Sequence, residues 1–108
     1  MIKRRPRAID AIIEMAGYIG QNSPASAERF MDATEGTFKQ LDEMPGMGHL
    51  YESSDSRLRG IRVWSVKGFQ SHLIFYRPFD GGIEILHLIH GARDIDVVLG
   101  DELQKGQL

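Results

Sequence analysis

Five cations, Arg57, Arg59, Arg62, Lys67 and Arg77, lie between Ser56 and Phe79 with no Asp or Glu among them. The acids are concentrated in the two amphipathic segments before this stretch and at the C-terminus. Such a distribution can place a basic patch on an otherwise acidic protein, whose net charge is −2, and so attract an anionic partner locally. From charge counting alone the plainer reading, solvated strand and loop residues, is preferred. The four histidines offer little to a metal. His87 and His90, three apart on a strand, project to opposite faces, and His49 and His72 are isolated in sequence. The absence of Cys excludes disulfides, thiolate ligands and Cys nucleophiles. Ser65 and Ser71 lack the setting of a nucleophile elbow, and no glycine-rich phosphate loop is present. No metal and no cofactor is expected.

The elements that must position these residues follow from periodicity. The 108 residues fit one compact domain, 1–108, near the low end for a self-sufficient core. The basic start, Lys3-Arg4-Arg5-Pro6-Arg7, leads into a segment interrupted by Asp10 and Glu14, unlike a signal peptide. No apolar run approaches the roughly 18 residues that span a bilayer. A cytoplasmic protein with no membrane contact is expected.

Ile2 to Arg5 reads as a short strand. Pro6 suits a first helical turn, and Ile9, Ile12, Ile13, Ala16 and Ile19 form one helical face. Ser23-Pro24 opens a second helix, with Ala27, Phe30, Met31, Thr34, Phe38 and Leu41 as its stripe and Pro45-Gly46 as its stop. The two make an antiparallel hairpin. Met47 to Ser56 reads as a loop. The period then falls to two, predicting strands over Leu58–Val66, Phe69–Arg77 and Gly82–His90, with turns at Lys67-Gly68 and Asp80-Gly81. Gly91 breaks the last strand, Ala92 to Leu99 can form a short helix, and 100–108 reads as a frayed tail. The fold class is α+β, a helical hairpin packed on a mainly antiparallel sheet.

Strict alternation places Ile83, Ile85 and Ile89 on one face of the last strand and Leu86 and Leu88 on the other. The middle strand likewise opposes Leu73 and Phe75 to Ile74 and Tyr76. Both sheet faces are apolar, so the one away from the hairpin needs the C-terminal helix or a partner to cover it.

This layout resembles the RelE/ParE toxin superfamily over about residues 8 to 99. The resemblance is carried by Ala8-Ile9-Asp10-Ala11-Ile12-Ile13-Glu14 with Tyr18-Ile19 and Asn22-Ser23-Pro24-Ala25-Ser26-Ala27 in the hairpin. It is carried further by Leu41-Asp42-Glu43-Met44-Pro45-Gly46-Met47-Gly48, by Leu58-Arg59 with Tyr76-Arg77, and by the ending Ile85-Leu86-His87-Leu88-Ile89-His90-Gly91-Ala92-Arg93-Asp94. The resemblance implies the toxin of a type II toxin–antitoxin pair, neutralised by a small ParD-like antitoxin in a higher-order hetero-oligomer. An extended antitoxin segment would add to a sheet edge, and an amphipathic helix would cover apolar surface. The apolar residues expected in that contact are Ile12, Ile19, Phe30, Phe38, Ile74, Tyr76, Leu86 and Leu88.

Two mechanisms divide the superfamily. Ribosome-dependent messenger RNA cleavage needs a base, an acid and cations at the phosphate, for which Arg57, Arg59, Arg62, Arg77, Tyr76 and His90 are the candidates, with Lys67 beside them. Against it stand the acidic net charge and a segment after Gly91 without Tyr or His. DNA gyrase poisoning needs no active site on the toxin, only preferential binding to one state of the target. The His90-Gly91-Ala92-Arg93-Asp94 ending favours this second reading, with Arg59, Arg62, Arg77 and Arg93 as candidate target contacts and no sequence-specific DNA binding by this chain alone. An inactive, binding-only relative is the third reading.

Overall fold

The structure, a computed structural model, describes residues 1–91 and 94–106. Strand β1 (Ile2–Arg4) leads into helices α1 (Pro6–Gly20) and α2 (Pro24–Glu43). Strand β2 (His49–Leu50) and a 3-10 turn at Ser56–Leu58 follow. Strands β3 (Arg62–Val66), β4 (Phe69–Phe79) and β5 (Gly82–His90) then precede helix α3 (Ile95–Gly106). The sheet order is β1-β5-β4-β3-β2, with β1 parallel to β5 and the other neighbours antiparallel. The α+β class and the order of its main elements agree with the sequence reading. No helix among the described residues is long and apolar enough to cross a membrane.

Proline at the first helical position starts both hairpin helices, and the Ser23 hydroxyl caps α2 by accepting from Ser26 N–H at 3.1 Å. Helix α1, however, is rotated from the expected face. It buries Ala8, Ala11 and Ile12, while Ile9 and Ile13 are 41% and 60% exposed. Apolar residues cover so wide an arc of α1 that helical spacing fits two faces. The packed one puts the two small alanines against the sheet. In α2, Phe30, Phe38 and Leu41 are buried as expected, whereas Met31 faces outward. Buried Thr34 and Thr37 return their hydroxyls to the helix, donating to Phe30 O at 2.8 Å and Ala33 O at 2.7 Å.

The strand over 58–66 is shorter than its alternation suggests. Leu58 closes the 3-10 turn, the chain becomes a strand only at Arg62, and the expected 47–56 loop contributes the two-residue β2. The larger departure lies in β5. Up to Tyr76 the β4–β5 register follows the two-residue turn, with Phe79 opposite Gly82 and Tyr76 opposite Ile85. Beyond it Phe75 stands opposite His87, which leaves Leu86 as an extra residue, a β-bulge. The bulge reverses the phase of β5. Ile83, Ile85 and Leu88 pack under the helical hairpin, while Leu86 and Ile89 join Phe75 on the other side. The expected grouping of Ile89 with Ile85, and of Leu88 with Leu86, is therefore overturned. On β4 the expected opposition of Leu73 and Phe75 to Ile74 and Tyr76 holds.

The second face is covered within the chain. Leu99 and Leu103 of α3 are buried against Leu58, Ile61, Phe75, Leu86 and Ile89. Helix α3 runs to Gly106, so residues 100–106 are not the frayed tail that their polarity suggests. The Asp96 carboxylate accepts from the Tyr51 hydroxyl and from Ser53 Oγ (2.6 Å), and Arg5 Nη1 donates to Glu102 O at 3.1 Å. These bonds fasten α3 on both flanks.

One polar lock joins the helix exit to the first core. Tyr76, with no exposed surface, accepts from Gly48 N–H at 2.9 Å and donates to Pro45 O at 2.7 Å. A Cβ on Gly48 would lie 2.5 Å from that hydroxyl, so this close approach requires glycine. Tyr76→Phe leaves both backbone groups without their partner and is expected to cost about 1–3 kcal/mol in a urea titration. An unchanged midpoint would show that the lock contributes nothing.

Candidate binding surfaces

The residues expected to perform RNA cleavage fall into separate groups: Tyr76 and Arg62 pair across β4 and β3, Arg57 and Arg77 meet on the opposite face, and His90 stands apart. Tyr76 is enclosed and engaged by backbone at Pro45 and Gly48, and burial raises its pKa above the ordinary Tyr value. Arg62, on the same sheet face, donates Nη1 to Gly48 O at 2.6 Å and Gly46 O at 3.3 Å. Arg77, on the opposite face, donates to Arg57 O at 3.1 Å. The Arg57 guanidinium is held by Asp55 at 2.7 Å, and its hydrogen bonds keep the Asp55 carboxyl below the usual range. His90 pairs across the strands with His72, four positions along β4 from Tyr76, or about 13 Å at strand spacing. Arg59 and Lys67 are exposed. Arg93, the remaining candidate for target contact, lies outside the described residues.

The residues expected to meet an antitoxin also lie inside. Ile12, Phe30, Phe38, Ile74, Tyr76, Leu86 and Leu88 are buried in the chain's own cores, and Ile19 is half-buried. Both sheet faces are closed by α1, α2 and α3, so these residues serve folding. The large apolar or aromatic side chains exposed on the hairpin helices are Ile9 and Ile13, one helical turn apart on α1, Tyr18 further along it, and Met31 on α2.

A cleft of about 470 Å³ separates α1 from α3 over the end of β5. Ala11, Met15, Leu88 and Val98 supply apolar wall, and Arg7, Tyr18, His90 and Asp101 line it further. His87 also lines it, although only 5% exposed. Its Nδ1 lies 3.0 Å from Leu88 O, an atom that can only accept, so Nδ1 carries the hydrogen. Burial, then the Arg7 charge, pushes the His87 pKa below the ordinary value, outweighing Glu102 and Glu14. The adjoining His72 is shifted the same way by burial and then by His90, whose ring centroid is 4.4 Å away.

The sequence reading missed this His72–His90 pair because the turn alone sets His72 against Ile89, and only the bulge moves His90 opposite it. No sequence signal marks that insertion. His87 could have been noticed as a polar residue within an apolar strand. Among the described residues no group of three or more potential metal ligands occurs.

The fold defines a small α+β protein, a helical hairpin and a C-terminal helix packed on opposite faces of one sheet. The chain matches, over residues 2–95, the family described as "ParE toxin of type II toxin-antitoxin system, parDE". It belongs to that family of toxins, and membership implies a cognate antitoxin partner. No curated protein matches the chain. Helix α3 begins at Ile95, where the family match ends.

The two histidines set a pH dependence. Their native pKa values lie below the ordinary 6.5, so on acidification the unfolded chain takes up protons that the native chain refuses. Their stabilising effect is present above about pH 6.5 and is lost as pH falls below it toward the native pKa values. Urea midpoints between about pH 7.5 and 5.5 should fall on acidification, and His87→Gln should flatten part of that slope. An equal slope in the variant would remove His87 as a contributor.

Proposed function

We propose that this toxin acts by binding DNA gyrase and trapping a DNA-cleavage state, and that a ParD-like antitoxin neutralises it. The observation that carries this reading is the dispersal of the candidate nuclease groups. Tyr76 is enclosed, Arg62 and Arg77 are bound to backbone, and His90 stands on another part of the sheet. A binding poison needs none of them assembled. It needs only a surface with higher affinity for one conformer of its target. Exposed Arg59, beside the 3-10 turn, is the target contact best placed among the described candidates.

For the antitoxin, exposed Ile9 and Ile13, one turn apart on α1, offer an apolar strip for one face of an amphipathic helix. An antitoxin that orders on binding could cover this strip and continue along the chain into a higher-order complex.

Addition of the purified toxin to gyrase supercoiling assays should stop supercoiling and accumulate protein-linked DNA breaks. Prior addition of the antitoxin should abolish both effects. Arg59→Glu should raise the toxin concentration required by about tenfold, equivalent to ~1.4 kcal/mol of binding. Unimpaired gyrase, together with codon-phased cleavage of messenger RNA on ribosomes, would replace this reading with the nuclease one.

A further inference from the structure

On the flank of α2 away from α1, the helix and the β3–β4 turn enclose a second cleft of about 870 Å³, within the ~300–1,000 Å³ typical of ligand sites. Its charged lining residues are Arg29 and Lys67, and no carboxylate lines it among the described residues. Ala33, Gly36 and Phe69 give it an apolar wall. On a chain of net charge −2 this local reversal of sign selects for an anionic ligand.

The cleft is preformed. The Thr37 hydroxyl, on the α2 side, accepts from Lys67 N–H at 3.2 Å and so ties the turn to the helix. Gly68 turns the chain there with φ at +81°. Arg29 is steadied by donating Nη2 to Ser26 Oγ at 2.7 Å. Phe69 is braced by the Phe30 ring, edge to face at 5.2 Å. Gly36 leaves the middle of the wall open, since a Cβ there would meet nothing within 4 Å.

We propose that this cleft binds an acidic peptide segment of a partner protein, its carboxylates pairing with Arg29 and Lys67 around an apolar side chain seated against Ala33, Gly36 and Phe69. Two cations around an apolar centre match carboxylates that flank one apolar residue. They do not extend into a track for a polyphosphate, because Arg29 and Lys67 are the only cations lining the cleft among the described residues. This site is separate from Ile9 and Ile13 on α1 and does not depend on gyrase being the target.

The test titrates the isotopically labelled full chain with a short peptide of alternating Glu and Leu, with a Lys–Leu peptide of equal length, and with a short single-stranded DNA. The Glu–Leu peptide is expected to bind saturably and to shift the amide signals of Gly36 and Gly68. Gly36→Leu fills the wall, and replacing glycine also favours the helix. It should weaken binding at least about tenfold, as should the surface change Arg29→Glu combined with Lys67→Glu. Thermal melts establish that each variant is folded. The proposal fails if the Lys–Leu peptide or the DNA binds better, if the shifts map elsewhere, or if folded Gly36→Leu retains full affinity.

Discussion

Between the partners of Tyr76 and Phe75, strand β5 accommodates one residue more than β4, and both cores depend on where that residue falls. Before the bulge, Ile83 and Ile85 face the helical hairpin. After it, Leu88 takes over that role, while Leu86 and Ile89 supply the opposite face. A continuous strand would turn Leu88 away from α1 and α2 and set Ile89 among the residues beneath them. The second core would then hold Leu88 in place of Ile89, and the first would hold Ile89 in place of Leu88. The same insertion lifts His87 into the wall of the α1–α3 cleft and sets His90 beside His72. One local irregularity thus decides the packing of both layers and the polar character of one end of the sheet.

With two apolar faces, a five-stranded sheet needs two covers, and this chain supplies them unequally. The hairpin is a large cover, held by Phe30, Phe38 and Leu41 and by the Tyr76 lock. The other cover combines the 3-10 turn with α3, whose buried apolar anchors are Leu99 and Leu103. Polar ties make up part of the difference. Burial and the Asp96 carboxylate push Tyr51 up to about 12, so its hydroxyl stays protonated and donating over the physiological range. The Asp96 carboxyl is held below the usual range by Ser53 and Tyr51, which keeps it an acceptor. Because α3 completes this core, a partner cannot reach Phe75 or Leu86 unless α3 moves, and partner contacts fall to the outer surfaces.

Much of this fold is legible in the sequence, because several local signals agree. Pro6 and Ser23-Pro24 mark helix starts, and Asp80-Gly81 marks the hairpin turn, with Gly81 at φ +102°, a conformation that favours glycine. The alternation from Leu73 to Tyr76 assigns the faces of β4 correctly, since the β3–β4 register shift falls before it, between Phe69 and Leu73. What is hidden has a common cause. The face of α1, the bulge in β5 and the extension of α3 are each settled by a neighbour distant in sequence. Ile9 and Ile12 are equally apolar, and only contact with the sheet distinguishes them. Asp101, Glu102 and Gln104 make the second half of α3 read as a polar tail until Arg5 is placed beside Glu102. The candidate site was least legible for the same reason. Large apolar residues mark a partner surface and a core by the same signal, and the core took Phe30, Phe38, Tyr76 and Leu86.

The basic segment makes the corresponding point for charge. Of its five cations, Arg57 is neutralised by Asp55, Arg62 holds the Gly46–Gly48 loop, and Arg77 fastens the 3-10 turn through the Arg57 carbonyl. Guanidinium groups suit these tasks because one planar head can satisfy several carbonyls that turns leave unpaired. The consequence is a protein whose cations outnumber its acids in one stretch of sequence without forming a continuous field at the surface. Arg59 stands at one end of the sheet, and Lys67 meets Arg29 across the cleft beside α2. Recognition by such a surface depends on discrete pairs framed by apolar contact, more than on long-range attraction to a polyanion.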